Sequence, residues 1–170
     1  MLYKELRGNI VDSCLITMRM YGDAASLLVL GTCATESDFG KYRRQLFNGP
    51  ARGIYQMEKP TYEWLVKCLD QKKFLVKHKI KQKMLFSMRV SEIPPFEDLE
   101  NNDELATYFC RLRYYVVPEE LPPADNVLAL AEYWKKYYNT SSGKGKIEDF
   151  VKKYNQHIAP FLKTANNANS

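Results

Sequence analysis

Histidine is scarce in this chain, with only His78 and His157. The four cysteines, Cys14, Cys33, Cys68 and Cys110, form no Cys-x-x-Cys pair. A zinc site is therefore not expected, and no metal or cofactor is assigned. The cysteines are read as reduced thiols, with Cys33 and Cys110 in apolar helical patterns where a thiol acts as a small hydrophobe. Long apolar runs are also missing, so no membrane-spanning segment is expected. The N-terminal residues Met1 to Arg7 mix acid and base and contain no apolar stretch of the secretory kind. The chain therefore needs some other route if it acts outside a cytoplasm. Strand signals are sparse and internal repeats are absent, which leaves a mainly α class.

The 170 residues are enough for one domain with a sizeable core. Twelve tyrosines raise the aromatic share to 13%, and an apolar ring with a polar tip suits a sugar-binding groove or a protein interface. The net charge of +5 mildly favours an anionic partner. It is concentrated in Lys72–Arg89 and Lys135–Lys153.

Helical spacing of Leu2, Leu6, Ile10, Val11, Leu15 and Met18 predicts a helix over Leu2–Met20, with a break at Gly8-Asn9. Asp23 is expected to cap a second helix, Ala24–Thr35, which is apolar on nearly every face and hence buried. Glu36 closes it. A carboxyl group at the end of a buried helix is costly unless it is partnered, protonated or used.

Phe39–Asn48 reads as a loop, Gly49 to Gly53 as a tight turn, and Ile54–Met57 as a short extended piece. Pro60 opens a helix through Leu69, with Trp64, Leu65 and Cys68 on one side. Lys72–Arg89 reads as one amphipathic helix. A core helix with a wet basic face is favoured there over an anionic-surface helix, and nucleic acid ranks last among the partners considered. Asp103 is expected to cap a helix striped by Leu105, Tyr108, Phe109, Leu112 and Tyr115. Leu128–Tyr138 and Ile147–Ile158 are the last helices, separated by a flexible Asn139–Gly145 turn. The domain is drawn over 1–160, with a polar C-terminal tail over 161–170.

The ordered set Glu36-Ser37, Gly49, Gly53-Ile54-Tyr55-Gln56 and Pro60-Thr61 resembles the soluble lytic transglycosylases of the lysozyme-like superfamily. In that family a glutamate and a serine end a buried helix, followed by a glycine-x-x-glutamine turn and a threonine. A late tyrosine-asparagine pair followed by glycine is matched most nearly by Tyr138-Asn139. Here three residues separate Asn139 from Gly143, and Tyr133 is a competing candidate.

The resemblance implies a lysozyme-like domain that cleaves peptidoglycan glycan strands. Glu36 would be the single acid and base. Ser37 would orient it or a substrate group, Gly53 would admit the sugar closely, Gln56 would bind sugar polar groups, and Tyr55 and Tyr138 would line the cleft. Each has a plain alternative: helix-end cap, turn, core hydrogen-bonder or packing residue. Asp38 and Glu58 remain candidates for the second carboxylate of a true hydrolase. A small lysozyme-like domain without export information would be phage-encoded, released at lysis or carried in the virion, and the segment from Trp134 to Thr140 adds support by also resembling bacteriophage proteins. A virion structural subunit that keeps the fold without activity is the alternative.

Overall fold

The computed structural model of the chain describes residues 3–45 and 49–167, the last four of these by backbone only. It is mainly α, and no strand occurs among the described residues. The β-like character expected near the turn amounts to two isolated antiparallel bridges, Arg44 with Arg52 and Arg52 with Met57.

The chain opens with α1 (Tyr3–Glu5), a π-helical stretch (Leu6–Val11) and α2 (Asp12–Thr17). The break expected at Gly8-Asn9 is thus a widening of the helix rather than an interruption. The central helix α3 (Asp23–Ser37) buries eleven consecutive or near-consecutive residues, from Ala25 to Ala34 and again at Ser37. Its cap is the extended Gly22 rather than Asp23, which is the first helical residue. The helix ends in a left-handed turn, with positive φ at Asp38, Phe39 and Gly40.

After the turn region, α4 (Lys59–Gln71) starts with Pro60 in its first turn, where the missing N–H is not needed. Leu65 and Cys68 are buried as expected, but Trp64 is 42% exposed, with the Arg113 guanidinium 5.9 Å from its ring. The basic stretch is two helices, α5 (Lys73–Lys77) and α6 (Ile80–Met88). Lys79 adopts a left-handed conformation between them, which ends the first helix and redirects the chain.

A 3-10 turn (Phe96–Glu100) leads to α7 (Asp103–Tyr115), capped by Asn102 rather than Asp103. The Asn102 side-chain oxygen accepts from the Leu105 N–H at 2.9 Å. All of the expected α7 stripe except the half-buried Tyr115 is fully buried. Next, α8 (Val127–Trp134) continues into a π-helical turn (Lys135–Asn139).

The last two helices are α9 (Ile147–His157) and α10 (Ala159–Asn167). Helix α10 crosses the boundary drawn at residue 161, so the expected tail is helical to Asn167. Phe161 stacks on Tyr3 with centroids 4.8 Å apart, which ties this last helix back to the start of the chain. Residues 168–170 of that tail, residues 46–48 of the loop and Leu2 of the first helix lie outside the described residues.

One hydrophobic cluster joins Tyr3 to Ile158 through every main helix. Helix α9 packs directly on α3, and Gly31 makes the approach possible: a Cβ there would overlap the Phe150 ring. That contact sets the far end of the chain against the helix that carries Glu36.

Candidate active site

A cavity of about 900 Å³ opens where the C-terminal end of α3, the 42–61 turn region and the α8–α9 segment meet. Glu36 lies in its wall. The Trp134 indole N–H, at the end of α8, donates to Glu36 Oε1 at 3.0 Å. Burial pushes the Glu36 carboxyl up to about 7, while the Trp134 hydrogen bond and the Lys135 cation pull it down less strongly. Around neutral pH the group is therefore poised between acid and carboxylate. The residue is half-buried, so it is desolvated yet reachable from the cavity.

Three of the six residues singled out from the sequence come together here: Glu36, Gln56 and Tyr138 all line the cavity. Gln56 sits at a positive φ of 47°, and its side-chain amide donates to the Tyr42 and Gly53 carbonyls at 3.1 and 2.9 Å. Its side-chain oxygen accepts no hydrogen bond from the described residues. The Tyr138 hydroxyl donates to the Tyr55 carbonyl at 2.8 Å, closing the cavity wall between the turn and the far end of the chain. The π-helical turn carries Tyr138 and Asn139, both in the lining. Such local widenings occur often at functional sites.

The other three stand behind this wall. Ser37 is buried; its hydroxyl donates to the Ile54 carbonyl at 2.6 Å and accepts from the Gly40 N–H at 2.8 Å. It fastens the turn to the end of α3 and does not reach the cavity. Gly53, at φ +77°, faces Leu99, whose carbonyl oxygen a Cβ would strike. Its freedom therefore serves packing against the 3-10 turn and not the approach of a sugar. Tyr55 is buried, with its hydroxyl 2.9 Å from Thr107 Oγ1. It supports Tyr138 through its carbonyl and contributes no surface to the cavity.

The two candidate second acids separate cleanly. Asp38 is absent from the lining; Lys153 Nζ lies 2.7 Å and His157 Nε2 3.1 Å from its Oδ1. The Lys153 hydrogen bond holds its carboxyl below the ordinary value. Glu58 is exposed and does line the cavity. Asp149 also lines it, but its carboxylate caps α9 by accepting from the Lys146 N–H at 2.9 Å. Arg113, Lys144, Lys152 and Lys153 make the rest of the rim basic.

Sequence reasoning did not single out Trp134 as a site residue. It is wholly buried, and the only signal for it is its position four residues before Tyr138. Among the described residues no group of three or more His, Cys, Asp or Glu is arranged to hold a metal ion. Two of the non-glycine residues with positive φ, Gln56 and Thr140, line the cavity.

Comparison with family models, with curated proteins and with solved structures gives no match for this chain.

Proposed function

We propose that this chain is a lytic transglycosylase that cleaves peptidoglycan glycan strands, with Glu36 as its single acid and base. The observation that carries the reading is the state of Glu36: a carboxyl at the end of a buried helix, raised to about 7, facing a cavity large enough for sugar rings. Protonated Glu36 gives its proton to the glycosidic oxygen as the bond from that oxygen to the anomeric carbon breaks. The resulting carboxylate takes the proton of the same sugar's 6-hydroxyl as its oxygen bonds to the anomeric carbon. The proton count closes on Glu36, no water is consumed, and the product is an anhydro-muramoyl end.

Trp134 holds the carboxylate in place through its N–H, which favours the ionised form needed for the second half of the reaction. Gln56 and Tyr138 border the position of the sugar, with the free side-chain oxygen of Gln56 available to a sugar hydroxyl. The basic rim suits strands that carry carboxylates on their peptide stems. The lysozyme-like architecture and the bacteriophage setting, lysis or virion, rest on the resemblance of the sequence motifs.

Purified cell walls digested by the full chain and analysed by mass spectrometry test the reading. Anhydro-muropeptides are expected, lighter by one water than reducing-end products. Glu36→Gln should lower their release at least about a hundredfold with an unchanged circular dichroism spectrum. Reducing-end products would instead make the enzyme a hydrolase and bring Glu58 forward. Digestion by Glu36→Gln as fast as by the parent would remove Glu36 from the chemistry, and inertness of both would favour the virion structural role.

A further inference from the structure

The basic stretch between α4 and α7 takes no part in the cavity, since no residue of 72–90 lines it. Its charge is one-sided. Lys72, Lys73, Lys77, Lys79, Lys81, Lys83 and Arg89 fall between residues 71 and 91, and that interval contains no Asp or Glu. Among the described residues, Lys81 alone of these seven is ion-paired, with Asp70 at 2.9 Å. Among the described residues the other six cations have no acidic partner, and all but the half-buried Lys83 are exposed, a concentration of like charge that attracts anionic surfaces.

The same face carries apolar side chains that solvated helices do not ordinarily present. Phe86 is 88% exposed, the largest value among the exposed large hydrophobics. Helix α6 buries Ile80 and Met84 against the core and turns Lys79, Gln82, Phe86 and Arg89 outward at helical spacing, with Val90 following. The helix is firmly seated. Ser87 donates to Glu104, the same residue that receives the Tyr108 hydroxyl and whose carbonyl accepts from Cys14 of α2.

We infer that the face formed by α5, α6 and Val90 docks on an anionic lipid bilayer, with Phe86 entering the interfacial layer among unpaired lysines and Arg89. Cations alone would meet the phosphates of nucleic acid equally well. The apolar side chains decide between the two. A phenyl ring can stack on an unpaired base, but Val76 and Val90, 50% and 38% exposed, have no ring to stack and gain only by leaving water. Lysine stems lie along an apolar boundary with their ammonium groups at the headgroups, which matches this arrangement of charge around Phe86. The contact lies on the membrane without spanning it, since among the described residues no helix is long and apolar enough to cross one.

Co-sedimentation of the full chain with phosphatidylcholine vesicles, with and without phosphatidylglycerol, tests this. Binding is expected only to the phosphatidylglycerol vesicles. Lys79→Glu and Lys83→Glu should each weaken it by at least about fivefold. Phe86→Ser, which leaves the charge unchanged, should weaken it by about tenfold or more. Lys79 and Phe86 are exposed, Lys83 is half-buried, and all three lie outside the cavity, so circular dichroism and wall digestion by the variants should match the parent. Equal binding to neutral vesicles, or no binding to either, overturns the proposal. So does tighter binding to single- or double-stranded DNA than to the anionic vesicles, or lipid binding that ignores Phe86→Ser.

Discussion

The two sides of the C-terminal end of α3 treat carboxylates in opposite ways. On the cavity side, Glu36 is desolvated, receives one indole N–H, and is raised to about 7. On the α9 side, two residues later, Asp38 is gripped by Lys153 and flanked by His157, and its carboxyl is held low. The left-handed turn at Asp38 creates the difference by swinging the chain away from the cavity directly after the helix. One helix end thus raises one carboxyl and lowers another two residues away. The Asp38–Lys153 pair bridges the end of α3 to α9, and α9 buttresses Trp134 through its Phe150 ring, 5.6 Å away between centroids.

Removing the indole donor breaks this comparison most sharply. Trp134→Phe keeps most of the buried volume but deletes the N–H to Glu36. Loss of a hydrogen bond to a charged group is worth about 1.5–3 kcal/mol, so wall digestion should slow by about ten- to a hundredfold. Because that bond favours the carboxylate, its loss should also move the alkaline limb of the pH–rate profile upward from about 7. A slower enzyme with an unmoved limb would reduce Trp134 to a packing residue.

The raised Glu36 also has a stability consequence. Its carboxyl binds a proton more tightly folded than unfolded, so ionisation costs stability as pH climbs from about 4.5 through about 7, and the cost is constant above that. The shift corresponds to about 3 kcal/mol at most. Glu36→Gln removes the titration. The variant should melt about 5–10 °C above the parent at pH 8, with the gap closing by pH 4. A gap that is the same at both ends would mean that Glu36 is solvated and titrates like a surface acid.

The sequence made the Glu36 side of this comparison legible and hid the Asp38 side. An apolar helix with no polar face announces its burial, and an acid at its end announces a cost to be met. The ordered motif also located Gln56 and, across 82 residues, Tyr138. It did not distinguish residues that face the cavity from those that hold its wall: Ser37, Gly53 and Tyr55 match the motif yet bond to Ile54, abut Leu99 and back Tyr138. Trp134 escaped because a single buried indole donor leaves no periodic signal. The split of Lys72–Arg89 escaped because Lys79 adopts a left-handed backbone that normally calls for glycine or asparagine. Trp64 fits the spacing of a buried stripe yet is 42% exposed, with the Arg113 guanidinium 5.9 Å from its ring.

The smallest effect belongs to Asp38, and its smallness is informative. Its carboxylate and Lys153 are both partly exposed, at 26% and 32% of their side-chain surfaces, so solvent screens the pair and it contributes about 1 kcal/mol or less. A carboxyl held below its unfolded value of 3.8 adds stability above that pH and loses it as pH falls through the folded value. Asp38→Asn should therefore be slightly less stable than the parent at pH 7, by urea denaturation, and indistinguishable from it in strong acid. Wall digestion should be unchanged, because Asp38 does not border the cavity and the Glu36–Trp134 bond does not pass through it. If Asp38→Asn abolished digestion while folding normally, two carboxylates would be at work, and the division between the two sides of α3 would fail.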